Sequence, residues 1–163
     1  MKELLVLRHA KAKKGEPNLK DFDRPLNDIG QAQIPIIANI IKKENLTPDL
    51  IISSSSKRTR QTAEEIAKGI GYKKNFIWSK ELYECTPFTY IQMLNKLSNS
   101  YNNVMLIGHN PTHEEFVNLL CRTHEVLSTG ALVCLQLPIN FWEELNESTL
   151  GKLTGLWRPK DLL

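Results

Sequence analysis

Two histidines in this chain stand just after short apolar runs. Leu4-Leu5-Val6-Leu7 leads into Arg8-His9-Ala10, and Val104-Met105-Leu106-Ile107 leads into Gly108-His109-Asn110-Pro111. A third apolar run, Leu50-Ile51-Ile52, opens into Ser53-Ser54-Ser55-Ser56-Lys57-Arg58-Thr59-Arg60-Gln61-Thr62. A neutral imidazole is a competent nucleophile toward phosphorus and can form a covalent intermediate. Phosphoryl transfer needs in-line positioning and charge stabilisation on three equatorial oxygens. Arg8 and Arg58 offer planar forks for those oxygens, and a second imidazole adds a donor. These residue types suit a dianion pocket, with phosphate the obvious ligand and no divalent ion required. The leaving group then wants a general acid, and Glu81 and Glu84 lie in the loop where one would be placed.

Such groups act together only if their elements deliver them to one place. The apolar runs before His9, Ser53 and His109 read as buried strands of a parallel sheet. Parallel strands share a carboxyl edge, which is where open α/β sheets bind ligands. A helix is predicted from about Asp28 to Glu44, with Ile34, Ile37, Ala38 and Ile41 on one face. Pro35 within it implies a kink or a late start. A second helix runs from about Lys57 to Lys68 and is closed by Gly69 or Gly71. Its N-terminus offers free N–H groups to an anion, and Arg58 lies in its first turn.

Further along, the pattern predicts a strand over Phe76 to Trp78 and a helix over Phe88 to Leu97. A helix over Thr112 to Cys121 follows, with Thr112 as N-cap, and then strands over Ala131 to Leu137 and Lys152 to Trp157. Alternating β and α elements imply a three-layer α/β/α fold with a mostly parallel sheet. Without repeat or linker, residues 1–163 read as one domain.

Composition is that of an ordinary globular chain, 41% hydrophobic and 24% charged, and the net charge of +3 makes no case for nucleic-acid binding. Lys11, Lys13 and Lys14 make the edge near His9 attractive to anions. Cys85, Cys121 and Cys134 lack metal-type spacing, and the last two read as buried thiols. No signal peptide and no membrane-length apolar stretch is visible, so a reducing cytoplasm is the expected location. His109, His113 and Glu114 superficially suggest a metal-binding helix. Pro111 and a cap at Thr112 place His109 ahead of that helix, so neither metal nor cofactor is expected. Tyr83, Phe88, Tyr90 and Phe116 read mainly as core.

Taken in order, these segments resemble the histidine phosphatase (phosphoglycerate mutase-like) superfamily, and within it the SixA-type phosphohistidine phosphatase branch. Leu7-Arg8-His9-Ala10 is similar to the signature that holds the phosphorylated histidine, with Ala10 where Gly is most frequent. Arg24-Pro25-Leu26-Asn27 with Gly30 resembles the Arg-Pro-Leu-Thr…Gly segment. Ser53-Ser54 with Arg58 to Ala63 resembles the Ser-Ser-Pro…Arg-x-x-Gln-Thr segment, with Ser55 replacing Pro; its register selects Arg58 over Arg60. Leu82-Tyr83-Glu84 is similar to the position of the proton donor, Gly108-His109-Asn110-Pro111 to the second-histidine motif, and Thr129-Gly130-Ala131 to a small-residue turn.

The resemblance implies a phosphoglycerate mutase-like fold and a phosphatase that passes through phosphohistidine at His9. Arg8, Arg58 and His109 would bind the phosphoryl group, and Glu84 would protonate the leaving group. The substrate would be a phosphorylated protein or a small phosphorylated molecule, with no nucleic acid or membrane involved. Members acting on small metabolites often carry an insertion that covers the site, whereas only Gly71 to Lys80 fill that stretch here. An uncovered cleft favours a phosphoryl group displayed on a protein. The alternatives are a small-metabolite phosphomonoesterase and a phosphate-recognition module without turnover.

Overall fold

Side chains alternate across the first strand, Leu4 and Val6 facing one layer of helices and Leu5 and Leu7 the other. The computed structural model describes residues 1–162. It contains strands β1 (Lys2–Arg8), β2 (Leu50–Ser54), β3 (Phe76–Ser79), β4 (Asn103–Gly108), β5 (Leu132–Leu137) and β6 (Lys152–Trp157). Four helices join them: α1 (Asp28–Lys43), α2 (Lys57–Ile70), α3 (Pro87–Asn95) and α4 (Thr112–Cys121). Ile34, Ile37 and Ile41 of α1 and Ala63 and Ile66 of α2 pack on Leu5, Leu7, Ile51, Met105 and Ile107. On the other face Tyr90 and Leu94 of α3 and Phe116, Val117 and Leu120 of α4 pack on Leu4, Val6, Leu50, Val104 and Leu106. The expected three layers are present.

The strands form one sheet in the order β3-β2-β4-β1-β5-β6. β1, β2, β3 and β4 pair in parallel, while β5 lies antiparallel between β1 and β6. The register Leu7 to Ile107 and Arg8 to Gly108 brings His9 and His109 off the sheet side by side. Ser53 pairs with Ile107, which brings the start of α2 to the same edge.

The expected start of α1 near Asp28 holds, and the cap expected at Thr112 is corrected. Asn27 caps α1 by accepting from the Gly30 amide at 2.8 Å, so the helix begins at Asp28 and Pro35 sits inside it rather than ahead of a late start. Thr112 does not cap α4. Pro111 occupies the cap position, because the first helical bond already runs from the His113 amide to the His109 carbonyl at 2.9 Å. The Thr112 hydroxyl donates instead to the Cys85 carbonyl.

Candidate active site

His9 leaves β1 with its backbone held on both sides. Its amide donates to the Gly108 carbonyl, and its carbonyl accepts from Gly130, whose φ of 73° suits a residue without a Cβ. The imidazole Nδ1 lies 2.7 Å from the Ala10 carbonyl oxygen. A carbonyl only accepts, so Nδ1 carries the hydrogen and Nε2 keeps its lone pair. Ala10 is fixed in turn: its amide donates to Thr62 Oγ1, which donates to the Arg58 carbonyl within α2. The first turns of α2 thus set the orientation of the His9 ring.

Arg58 is buried and aims Nε at His9 Nε2, 3.4 Å away. Its Nη1 donates to the Asp21 carbonyl at 2.8 Å and its Nη2 to Asp21 Oδ2 at 3.1 Å. Asp21 comes from the loop between β1 and α1, and it also receives Arg24 Nε and the Tyr83 hydroxyl. Arg60 faces away, its guanidinium 4.6 Å from the Trp78 ring centroid.

The His109 ring lies 5.4 Å from that of His9, centre to centre, close enough for both to meet one phosphoryl group. Its Nε2 sits 2.9 Å from Ser54 Oγ, and its Nδ1 is buried without a hydrogen bond to any described residue. The Tyr83 ring edge closes the other side of His109 at 5.4 Å. Arg8 donates through Nη1 to the Leu127 carbonyl, while its Nε is also buried and has no hydrogen-bond partner among the described residues. Burial pulls Arg8 below its ordinary range and the Glu114 charge opposes that shift, the guanidinium remaining charged.

Burial is the main force on the imidazoles. It pushes His9 down to about 3, with the Arg58 and Arg8 charges adding to the effect against the Ala10 bond. Burial, then the neighbouring His9 and Arg58, push His109 down to about 2. Both rings are uncharged at neutral pH, so His9 Nε2 keeps a lone pair that meets only the long Arg58 Nε–H contact of 3.4 Å, beside two guanidinium charges. That arrangement can draw in an oxyanion and attack its central atom. Burial pushes the Asp21 carboxyl up, but Tyr83, Arg58 and Arg24 outweigh it and hold the group at about 2.

Beneath the site lies a second layer. His113 is fully buried, donating through Nε2 to the Leu7 carbonyl and accepting at Nδ1 from the Tyr90 hydroxyl. Both ring nitrogens are engaged, so His113 has no lone pair for an ion. A Cβ on Gly108 would lie 2.7 Å from His113 Cε1 and from the Tyr90 hydroxyl, which explains glycine there.

The four residues singled out by type, Arg8, His9, Arg58 and His109, converge at the sheet edge. Glu84 and Glu81 are exposed and stand outside this hydrogen-bonded group. The carboxylate inside it belongs to Asp21, which sequence reasoning passed over although it stands three residues before Arg24 in a segment already marked. Of the four aromatics read mainly as core, Tyr90 and Phe116 are buried, whereas Phe88 is exposed and Tyr83 walls the site. Cys134 is buried and Cys121 only partly so. No helix among the described residues is long and apolar enough to cross a membrane.

Among known proteins, an uncharacterised chloroplastic protein of Arabidopsis thaliana is 30% identical over 170 aligned positions, covering 97% of this chain and 78% of that one. A candidate phosphohistidine phosphatase SixA from Agrobacterium tumefaciens has the same fold, with TM-score 0.81 and 29% identity over 96% of this chain and 98% of that one. The protein histidine phosphatase SixA complexed with tungstate superposes with TM-score 0.83 at 24% identity, covering 99% of each chain. The profile of the histidine phosphatase superfamily (branch 1) matches residues 4–128, and the chain belongs to that family.

Proposed function

We propose that this protein is a metal-independent phosphatase that works through a phosphohistidine at His9. The observation that carries this is the tautomer: with Nδ1–H spent on Ala10, the lone pair of Nε2 lies where Arg58 Nε can also hold an oxyanion. Nε2 attacks phosphorus, forming the N–P bond as the bond to the leaving group breaks. The leaving group departs with the electron pair and takes a proton. Water then attacks phosphorus, the N–P bond breaks back to the imidazole, one proton of the water stays on inorganic phosphate with its oxygen, and the other restores the group that protonated the leaving group. Arg8 Nε, Arg58 and His109 hold the equatorial oxygens through both steps. In this reading Ser54 donates its hydroxyl to His109 Nε2, leaving Nδ1–H for the phosphoryl group. Glu84 is the proposed proton donor for ester leaving groups.

The proposed substrate is a phosphohistidine on a protein, or a similarly exposed phosphoryl group. Five residues join α2 to β3, leaving no length for a covering insertion. The likeness to the Agrobacterium protein supports the same reading. Three unpaired cysteines suit a cytoplasmic, reducing location. The test compares phosphohistidine-bearing protein, phosphoramidate, p-nitrophenyl phosphate and sugar phosphates, in wild type and His9→Ala and with excess chelator. Wild-type turnover should survive chelator and be abolished in His9→Ala, and a quenched 32P label should be acid-labile and alkali-stable. Full activity in His9→Ala, or chelator loss restored by metal, would overturn the mechanism. Preference for sugar phosphates would overturn the substrate class, and binding without turnover would leave a recognition module.

A further inference from the structure

We propose that Asp21 is a positioning residue for phosphoryl transfer, gripping the far side of Arg58 so that its Nε edge faces His9. The inference rests on the reading of His9 and Arg58 as the phosphoryl site. The guanidinium is planar, so two contacts on its terminal nitrogens fix its plane. Asp21 supplies both, its backbone carbonyl to Nη1 at 2.8 Å and Oδ2 to Nη2 at 3.1 Å. The edge left over, Nε, is the one that meets His9 Nε2. Of the five N–H groups of an arginine, Asp21 takes two and leaves three, Nε–H among them, for the side that faces His9 and a phosphoryl group.

Asp21 can hold a direction because it is itself held. Arg24 Nε donates to Oδ1 at 2.8 Å, while Arg24 Nη1 reaches back to the Lys13 carbonyl at 2.7 Å. The Tyr83 hydroxyl donates to Oδ2, and the Tyr83 ring is wedged between Phe22 at 4.9 Å and His109 at 5.4 Å. One carboxylate thereby links the loop after β1, the start of α2 and the segment after β3. The Asp21 side chain is 53% exposed while that of Arg58 is 7% exposed. Solvent screens a pair with one exposed partner, so the contribution of Asp21 is direction more than charge. Direction matters in phosphoryl transfer, where small misplacements cost large factors in rate.

A double-mutant cycle on kcat/KM for p-nitrophenyl phosphate tests this. Asp21→Ala should lower kcat/KM about tenfold, mostly in kcat, because the backbone contact survives and the side-chain contact does not. Asp21→Asn keeps an acceptor and should lose less, with an unchanged melting temperature. In an Arg58→Ala background, Asp21→Ala should change kcat/KM by less than about twofold, since the group it aims is gone. Equal losses in both backgrounds would overturn the inference, because a merely structural role is additive. So would tighter inhibition by inorganic phosphate in Asp21→Ala, which would make Asp21 a competitor for the oxyanion site. If Asp21→Ala fails to fold, the same cycle with Asp21→Asn decides. An Arg58→Ala enzyme as active as wild type would instead overturn the phosphoryl-site reading beneath it.

Discussion

At the residue scale the site works by separating the two nitrogens of one ring. His9 Nδ1 is tied to a carbonyl and Nε2 is left with a lone pair, while burial keeps the ring neutral. Acid catalysis poses a different question, because the proposed donor Glu84 is exposed and stands outside the hydrogen-bonded group of the site. Demand for a proton depends on the basicity of the leaving group. An alkyl alkoxide needs it most, p-nitrophenolate needs little, and the imidazole of phosphohistidine can be protonated before it leaves. Glu84→Gln should therefore slow alkyl phosphate hydrolysis about tenfold or more while leaving p-nitrophenyl phosphate and phosphoramidate within about twofold. Equal losses in kcat/KM across the three would remove Glu84 from proton transfer and leave Glu81, Asp23 or water.

At the element scale, the loop from Lys11 to Asn27 is a strap that carries Asp21 to Arg58. It has no hydrophobic period; backbone and side-chain bonds hold its course. The Lys13 amide donates to Pro25, Asn27 to Lys11, and Leu26 to Gln61 Oε1 on α2. At Gly30 α1 packs against it, and a Cβ there would collide with the Lys11 carbonyl oxygen. Gly30→Ala should destabilise the protein by about 3 kcal/mol through overpacking against backbone, read from urea unfolding. Activity should fall as well, because displacing Lys11 disturbs the strap that aims Arg58. A variant within about 0.5 kcal/mol of wild type would show that the strap yields freely and sets no geometry.

For the whole molecule, three buried imidazoles make stability depend on pH. His9, His109 and His113 are held down to about 3, 2 and 4, against an ordinary value near 6.5 in the unfolded chain. Between those values the unfolded chain binds protons that the folded one refuses, so stability falls as pH falls through 6.5. From pH 6.5 to pH 5 the loss should reach at most about 2 kcal/mol for each imidazole. Asp21, held low, keeps its contribution in that window and loses it only below the unfolded carboxyl value. Urea unfolding at pH 7 and pH 5 checks this, and equal stabilities would mean that the rings take up protons without opening the fold. We propose that residues 1–163 unfold as one domain, so circular dichroism and tryptophan fluorescence should report a single coincident transition.

The chain's own pattern was enough to place the strands, their following polar groups and the four convergent residues. The reason is local: apolar runs of strand length become buried strands, and parallel strands that end in Arg8-His9, Ser53-Ser54 and Gly108-His109 must present them at one edge. Even the helix beginning at Lys57 was legible from its flanking serines and closing glycine, and Gly71 closes it in the left-handed conformation. Tertiary structure alone decided the rest. Asp21 and Tyr83 lie 62 residues apart and meet on Arg58 through an aperiodic loop, whose path depends on many weak bonds rather than on any spacing. Which nitrogen of His9 is free depends on the Ala10 carbonyl, and that depends on Thr62 in another element. Periodicity tells which face of an element is buried; it carries no information about where an irregular segment comes to rest.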